Sequence, residues 1–225
     1  MFDRTISLIG EEKYNKLKDS NVLILGIGGV GGYALETLIR SGIENVTIVD
    51  YDKIDVTNIN RQIIALNDNI GNTKTTEWKK RILSINKNVN INIINKKIDM
   101  DNIDDLFEQN YDFIIDACDT IIVKKLLIKK CKEKNINLIT VCGMGKKMDP
   151  SMIKICDIKD TSYDPIAKIL RKYVKVEKIK GKVTCVFSAE KPNNTDNEII
   201  ASMMMVPAVA GILAANYVID KIINT

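Results

Sequence analysis

Val22-Leu23-Ile24-Leu25-Gly26-Ile27-Gly28-Gly29-Val30-Gly31-Gly32 decides the fold. The apolar run Val22–Gly26 reads as a buried strand, the glycines as a tight turn, and Tyr33–Ser41 as the helix that follows. Glycines in such a turn bring bare backbone N–H groups against a phosphate, and the helix N-terminus adds positive potential. The stretch therefore predicts a nucleotide-binding βα unit. It leaves the nucleotide open, because Gly-x-Gly-x-x-Gly with Asp50 ending the next strand suits either ATP or a nicotinamide dinucleotide.

Outward from this unit, β-rich runs alternate with helical ones. Strands are predicted at Asn45–Asp50, Val89–Asn95, Asp112–Ala117 and Asn137–Cys142, and helices at Thr73–Asn86, Asp101–Gln109 and Thr120–Lys134. Such alternation implies an α/β, Rossmann-like, doubly wound sheet, mainly parallel, with ligand at the carboxyl ends of its strands. After Gly145 the pattern changes. Met152–Ile158 and Lys182–Ala189 read as antiparallel strands extending the sheet, Asp164–Val174 as a helix, Lys191–Glu198 as a polar loop and Val206–Ile223 as a terminal helix. No repeat or flexible linker interrupts the chain. The expectation is one domain over residues 1–225, with a nucleotide-binding part at about 20–145 and a substrate and dimer part at about 146–225.

Composition narrows the chemistry. The 225 residues are 45% hydrophobic and 28% charged, ordinary for a globular protein, and the net charge of +4 permits a polyanionic partner without demanding one. Histidine is absent, which excludes His-based triads and His metal sites. Cys118, Cys131, Cys142, Cys156 and Cys185 include no C-x-x-C pair, so neither a disulfide framework nor structural zinc is expected. Met1–Lys18 lacks the apolar core of a signal peptide. Met203–Ala215 is apolar but short of the about 20 residues a membrane span needs, and it contains Pro207 and Gly211. It reads as a buried or interface helix, and the expected setting is the cytoplasm with no membrane partner.

Several polar residues fit a triphosphate better than a dinucleotide. Asp50 offers a carboxylate to ribose hydroxyls. The loop Asp52-Lys53-Ile54-Asp55-Val56-Thr57-Asn58-Ile59-Asn60-Arg61-Gln62 presents an arginine, whose forked donors suit phosphate oxygens. Lys74 opens a predicted helix where ammonium and helix N-terminus can face one anion. Asp116 and Asp119, at the end of the fourth strand, can hold Mg²⁺ with phosphates completing its shell. Each also has a plainer reading: Arg61 and Lys74 as solvated charges, Asp50 and Asp119 as caps.

Taken together, GIGGVGG, VDYDKIDVTNINRQ, the lysine of GNTKT and IIDACDT closely resemble the ThiF/MoeB/ubiquitin-activating superfamily of adenylating enzymes over about residues 4–145. The resemblance implies ribose binding by Asp50, triphosphate binding by Arg61 and Lys74, and Mg²⁺ binding by Asp119. It also implies that Arg4 reaches the nucleotide of a partner subunit in a homodimer. Gly26, Gly28, Gly29, Gly31, Asp52, Asn58 and Gln62 complete the expected nucleotide-binding set.

Beyond Gly145 the sequence is similar to the tRNA threonylcarbamoyladenosine dehydratase branch of that superfamily. The stretches carrying this likeness are Thr140–Pro150, Ile155–Ile158, Asp164–Ala167 and Cys185–Glu190, with Lys191–Glu198 shorter than the branch leads one to expect. The branch implies ATP-dependent cyclisation of threonylcarbamoyladenosine in tRNA, through adenylation of its carboxylate. It leaves a monovalent cation (Na⁺ or K⁺) and a cysteine desulfurase system as further candidate ligands and partners. Lys168, Arg171, Lys172, Lys175, Lys178, Lys180 and Lys182, opposed only by Glu177, form a basic stripe that could track tRNA phosphates or simply face solvent. Cys185, inside the apolar run Val183–Phe187, reads as a core thiol rather than a sulfur acceptor. Two other activities share parts of the pattern. Adenylation of a ubiquitin-like sulfur carrier uses the same ATP site but usually brings the zinc cysteines missing here. An NAD(P)-dependent oxidoreductase rests on the glycines and Asp50 alone. A non-catalytic scaffold for a cysteine desulfurase would have no use for Arg61 and Asp119 together.

Overall fold

The computed structural model describes residues 1–193 and 201–224. Among them, seven strands form one sheet in the order β3-β2-β1-β4-β5-β7-β6. The strands are β1 Asn21–Leu25, β2 Asn45–Val49, β3 Asn90–Ile94, β4 Phe113–Asp116, β5 Asn137–Val141, β6 Ile153–Asp157 and β7 Thr184–Ser188. The first five pair in parallel, and chain direction across the sheet reverses between β1 and β4, the crevice where α/β sheets bind ligands. The helices are α1 Asp3–Ile9, α2 Glu11–Asp19, α3 Gly31–Ser41, α4 Lys74–Ile85, α5 Ile121–Lys134, α6 Pro165–Val176 and α7 Met205–Asn224.

Both sheet faces are covered, so the central strands are apolar at every position while their side chains still alternate. Val22 and Ile24 of β1 join a core with Leu35, Leu38, Trp78, Ala214 and Val218 from α3, α4 and α7. Leu23 and Leu25 join a second core with Val123, Leu127 and Cys131 of α5. A third cluster sets Leu170 and Val174 of α6 on Cys185 and Phe187 of β7. Cys185 is thus a fully buried core thiol, held protonated by its hydrogen bond with Cys142 and by burial.

α7 is 20 residues long and, by length and composition alone, apolar enough to cross a membrane. Here its Val206, Ala210, Gly211, Ala214, Ala215 and Val218 are buried in the protein. Gly211 makes the crossing with α3 possible, since a Cβ there would stand 2.1 Å from the Val30 carbonyl oxygen.

Three expectations need correction or completion. Asp101–Gln109 is not an α-helix; only Ile103–Phe107 is helical, as a 3₁₀ segment. Asn102 accepts from the Asp99 N–H and donates to the Lys97 carbonyl, and Asp99 accepts from the Asp101 N–H, bonds that favour turns over helix. β7 is not antiparallel throughout: it lies between β5, to which it is parallel, and β6, to which it is antiparallel. The excursion through β6 and α6 supplies the long crossover that a parallel β5–β7 pair requires. The N-terminal α1 and α2 were not anticipated, and α1 buries no residue. The polar loop Lys191–Glu198 is described to Asn193, and its remainder lies outside the described residues.

Candidate active site

At the carboxyl ends of β1, β2, β4 and β5 lies a cavity of about 760 Å³. Its first half is built by the glycine loop. Gly26 has φ +81°, and a Cβ there would meet the Ala117 carbonyl oxygen at 2.8 Å. A Cβ on Gly31 would stand 1.8 Å from the Gly26 carbonyl oxygen, so that turn closes only without side chains. The fully buried Trp78 of α4 fixes the loop from behind, its indole N–H donating to the Ile27 carbonyl at 3.1 Å.

Asp50 caps no helix. Its carboxylate accepts from the Ile27 N–H and the Asp52 N–H, both at 2.9 Å, and so ties the glycine loop to the segment after β2. In that segment, Asp55 and Asn58 cap each other's backbone, which turns Arg61 and Gln62 toward the glycines. Gly28 and Gly29 approach Gln62 and Arg61 so closely that a Cβ on either would sit 3.4 Å from them. The Arg61 guanidinium donates to the Thr57 carbonyl at 2.8 Å and to Asn60 at 2.9 Å. Gln62 is buried, and its Oε1 has no hydrogen-bond partner among the described residues, an acceptor left open on the cavity wall. Lys74 is not a solvated charge. It is 5% exposed at the first turn of α4, and its ammonium bonds the Asp52 carboxylate at 2.7 Å.

Asp119 is exposed on the cavity rim and caps nothing, since Thr120 occupies the cap position of α5. Among the described residues its hydrogen bond is from the Thr120 hydroxyl at 3.3 Å. Asp116, expected beside it as a second metal ligand, is used internally. Its carboxylate accepts from Thr140 at 2.6 Å and pairs with the buried Lys124 at 3.1 Å. Burial works to lower the Lys124 pKa, but the neighbouring Asp116 carboxylate more than reverses this and keeps the ammonium charged. Among the described residues no group of three or more His, Cys, Asp or Glu side chains could hold a metal on its own. A lone rim carboxylate suits Mg²⁺, which keeps waters and takes phosphates alongside one or two carboxylates.

The second half of the cavity falls largely on stretches that carry the branch likeness, Thr140–Pro150 and Asp164–Ala167, although none of its residues stands among the expected site residues. Its wall is Val141–Lys147, Asp164–Ile166, Pro192, Ser202 and Pro207. Lys147, which in a Lys-Lys pair reads as solvated, is 3% exposed. Its ammonium holds together the Gly143 carbonyl (3.0 Å), the Ser188 carbonyl (3.3 Å) and the Asp164 carboxylate (3.4 Å). Asp164 also caps α6 through the Ala167 N–H, and Pro165 follows at the first helical position. That Asp-Pro pair is the local capping signal legible for this wall.

Other expected residues lie outside the cavity. Arg4 is exposed on α1 and is not part of the lining. The basic stripe begins at the mouth, where α6 starts, and runs about 18 Å along its twelve residues, so Lys178, Lys180 and Lys182 sit at the far end of the sheet. Arg171 is half-buried and donates to the Thr161 carbonyl and hydroxyl, while the six lysines are exposed. Lys125 and Lys129 of the neighbouring α5 flank the stripe, beside Tyr173 and Glu177.

Known proteins resemble this chain along its whole length. The tRNA threonylcarbamoyladenosine dehydratase of Bacillus subtilis is 36% identical over 99% of this chain and 94% of its own. The crystal structure of the Escherichia coli tRNA N6-threonylcarbamoyladenosine dehydratase with ATP superposes with a TM-score of 0.93 at 35% identity, covering 99% of this chain and 93% of that one. A probable molybdopterin-synthase adenylyltransferase of Porphyra purpurea is 39% identical, but over 58% of this chain and 33% of its own. The ThiF family model matches residues 2–225, and the chain belongs to the ThiF family.

Proposed function

We propose that this protein uses ATP to dehydrate threonylcarbamoyladenosine in tRNA to its cyclic form. The observation that carries this reading is the extent of likeness: the dehydratase relatives match through the second half of the cavity, whereas the adenylyltransferase matches only 58% of the chain. In this reading residues 20–145 form the nucleotide half, and residues 146–225 the acceptor and dimer half. The activity belongs in the cytoplasm, where tRNA and ATP are available.

Chemically, the threonyl carboxylate is a poor electrophile because its leaving group would be oxide. One carboxylate oxygen attacks the α-phosphorus of ATP, the bond to the β-phosphate oxygen breaks, and pyrophosphate departs. The carbamoyl group of the same nucleoside then attacks the acyl carbon, and AMP leaves with that carboxylate oxygen. Holding both groups within one nucleoside contributes on the order of 7–11 kcal/mol through proximity. No thiol is required, and the cavity-lining Cys118 is kept protonated by burial and by the Asp116 carboxylate.

The glycine N–H groups and the N-terminus of α3 receive phosphate oxygens, and Asp50 takes the ribose with the oxygen lone pairs its two backbone bonds leave free. Arg61 swings from Thr57 and Asn60 onto the triphosphate, and Lys74 shares its ammonium between Asp52 and the same phosphates. Asp119 would hold Mg²⁺, which when bound neutralises phosphate charge. Arg4 serves the partner's site in a homodimer; its absence from its own chain's cavity and the lack of buried residues on α1 support that reading. The exposed lysines of α6 and of the 178–182 loop contact tRNA phosphates. The test is incubation with ATP, Mg²⁺ and tRNA carrying the modified nucleoside, followed by nucleoside mass analysis. ATP-dependent loss of one water is expected. An unchanged nucleoside, with pyrophosphate released on a ubiquitin-like protein instead, would shift the acceptor to a protein carboxylate.

A further inference from the structure

Among the described residues, the acceptor half of the cavity carries one charge that no other group neutralises. Lys147 and Asp164 are both buried and paired with each other, so together they add no net charge. Lys146 lines the same wall and is half-buried, and among the described residues no hydrogen bond or ion pair holds its ammonium. The other charged groups of the lining are Asp50, Asp52, Arg61, Lys74, Lys96 and Asp119, all on the nucleotide side.

Lys146 is also held in an unusual backbone state. Its φ is +59°, the left-handed region that residues with a Cβ rarely adopt. The turn is fastened on both sides. The Lys146 N–H donates to the Ala201 carbonyl and its carbonyl accepts from the Asn193 N–H, each at 2.7 Å. Two and three residues on, the N–H groups of Met148 and Asp149 both donate to the Glu190 carboxylate, while the Lys147 ammonium donates to the Gly143 carbonyl. Strain kept in place by so many contacts is characteristic of functional sites. Here it fixes where the Lys146 side chain starts, on the cavity wall.

We propose that Lys146 receives the carboxylate of the threonylcarbamoyl group and so selects the modified tRNA. The inference rests on the dehydratase reading. Adenylation must bring two anions together, the carboxylate and the α-phosphate, and an ammonium on the cavity wall with no partner among the described residues offsets their repulsion. The same contact explains turnover: ring closure abolishes the carboxylate charge, so the product loses its hold on Lys146 while the substrate keeps it.

The test compares binding of one tRNA, with and without threonylcarbamoyladenosine, to the intact protein in the absence of ATP. Wild type should prefer the modified tRNA, and Lys146→Gly should reduce that preference by about 10-fold to 100-fold, the range for a charge-assisted hydrogen bond. Lys146→Arg should retain it. Because glycine is at ease at positive φ, Lys146→Gly should melt no lower than wild type, so lost binding cannot be put down to unfolding. Equal weakening of both tRNAs would make Lys146 a contact to backbone phosphate and overturn the proposal. So would a preference unchanged in Lys146→Gly. Failure of wild type to turn over the modified tRNA would instead overturn the dehydratase reading itself.

Discussion

Gly211→Ala sets two effects of opposite sign against each other. In a helix interior, replacing glycine by alanine stabilises by about 1 kcal/mol through propensity alone. At this position the new Cβ would stand 2.1 Å from the Val30 carbonyl oxygen, 3.0 Å from the Ala34 nitrogen and 3.1 Å from the Tyr33 Cβ. Ordinary contact starts near 3.4 Å, so α7 must retreat from α3 by roughly 1.3 Å (3.4 less 2.1). That movement loosens Val206, Ala210, Ala214 and Val218 against the core, and misfits of this kind cost about 1–3 kcal/mol or more. Backbone atoms cannot rotate away as a side chain can, so the steric cost wins. We expect a net loss of about 2 kcal/mol, or about 4–8 °C in Tm at the roughly 2–4 °C per kcal/mol of a chain this size. Urea unfolding reads the stability, and calorimetric titration with ATP reads the site. ATP affinity should fall as well, because Val30 and Ala34 belong to the first turn of α3, behind the glycine loop. A variant more stable than wild type, with unchanged ATP affinity, would refute the tight crossing.

Asp119→Asn should abolish tRNA-dependent pyrophosphate release with an unchanged melt, since the carboxylate is exposed and among the described residues is hydrogen-bonded only by Thr120; normal release would remove Asp119 from the site. Glu36 bonds Arg81 and Arg40, and these bonds outweigh burial and hold its carboxyl below the ordinary 4.5. The folded state then binds fewer protons than the unfolded one. The stability wild type has over Glu36→Gln should be full above about pH 4.5 and shrink as pH falls through the folded pKa; a gap that widens in acid would contradict this. Replacing Lys172, Lys175 and Lys178 together by Glu should weaken tRNA binding and flatten its dependence on salt, and an unchanged salt slope would return that face to solvent.

The βα alternation was legible because both faces of the sheet are covered and its strands read as short apolar runs between turn signals. The glycine loop was legible because its contacts tolerate no side chain. Asp101–Gln109 misled because Ile103 and Leu106 are buried as a helix face would be, while the bonds of Asp99 and Asn102 that prefer a turn carry no periodic signal. The direction of β7 depends on which neighbour it joins, a long-range choice its five residues do not encode. In the site, Asp116 and Asp119 look alike in sequence; what separates them is the buried Lys124, eight residues away on the next helix. Lys147 was hidden for the same reason. A lysine is read as solvated until the structure supplies the Asp164 carboxylate and two carbonyls around it.

The most direct test of the central claim follows one oxygen atom. Modified tRNA labelled with ¹⁸O in the threonyl carboxylate is turned over with unlabelled ATP, and AMP, phosphate and the nucleoside are weighed by mass spectrometry. Carboxylate adenylation predicts one ¹⁸O in AMP for each nucleoside that loses water, and none in inorganic phosphate. Label in phosphate, or dehydration that leaves AMP unlabelled, would contradict the account.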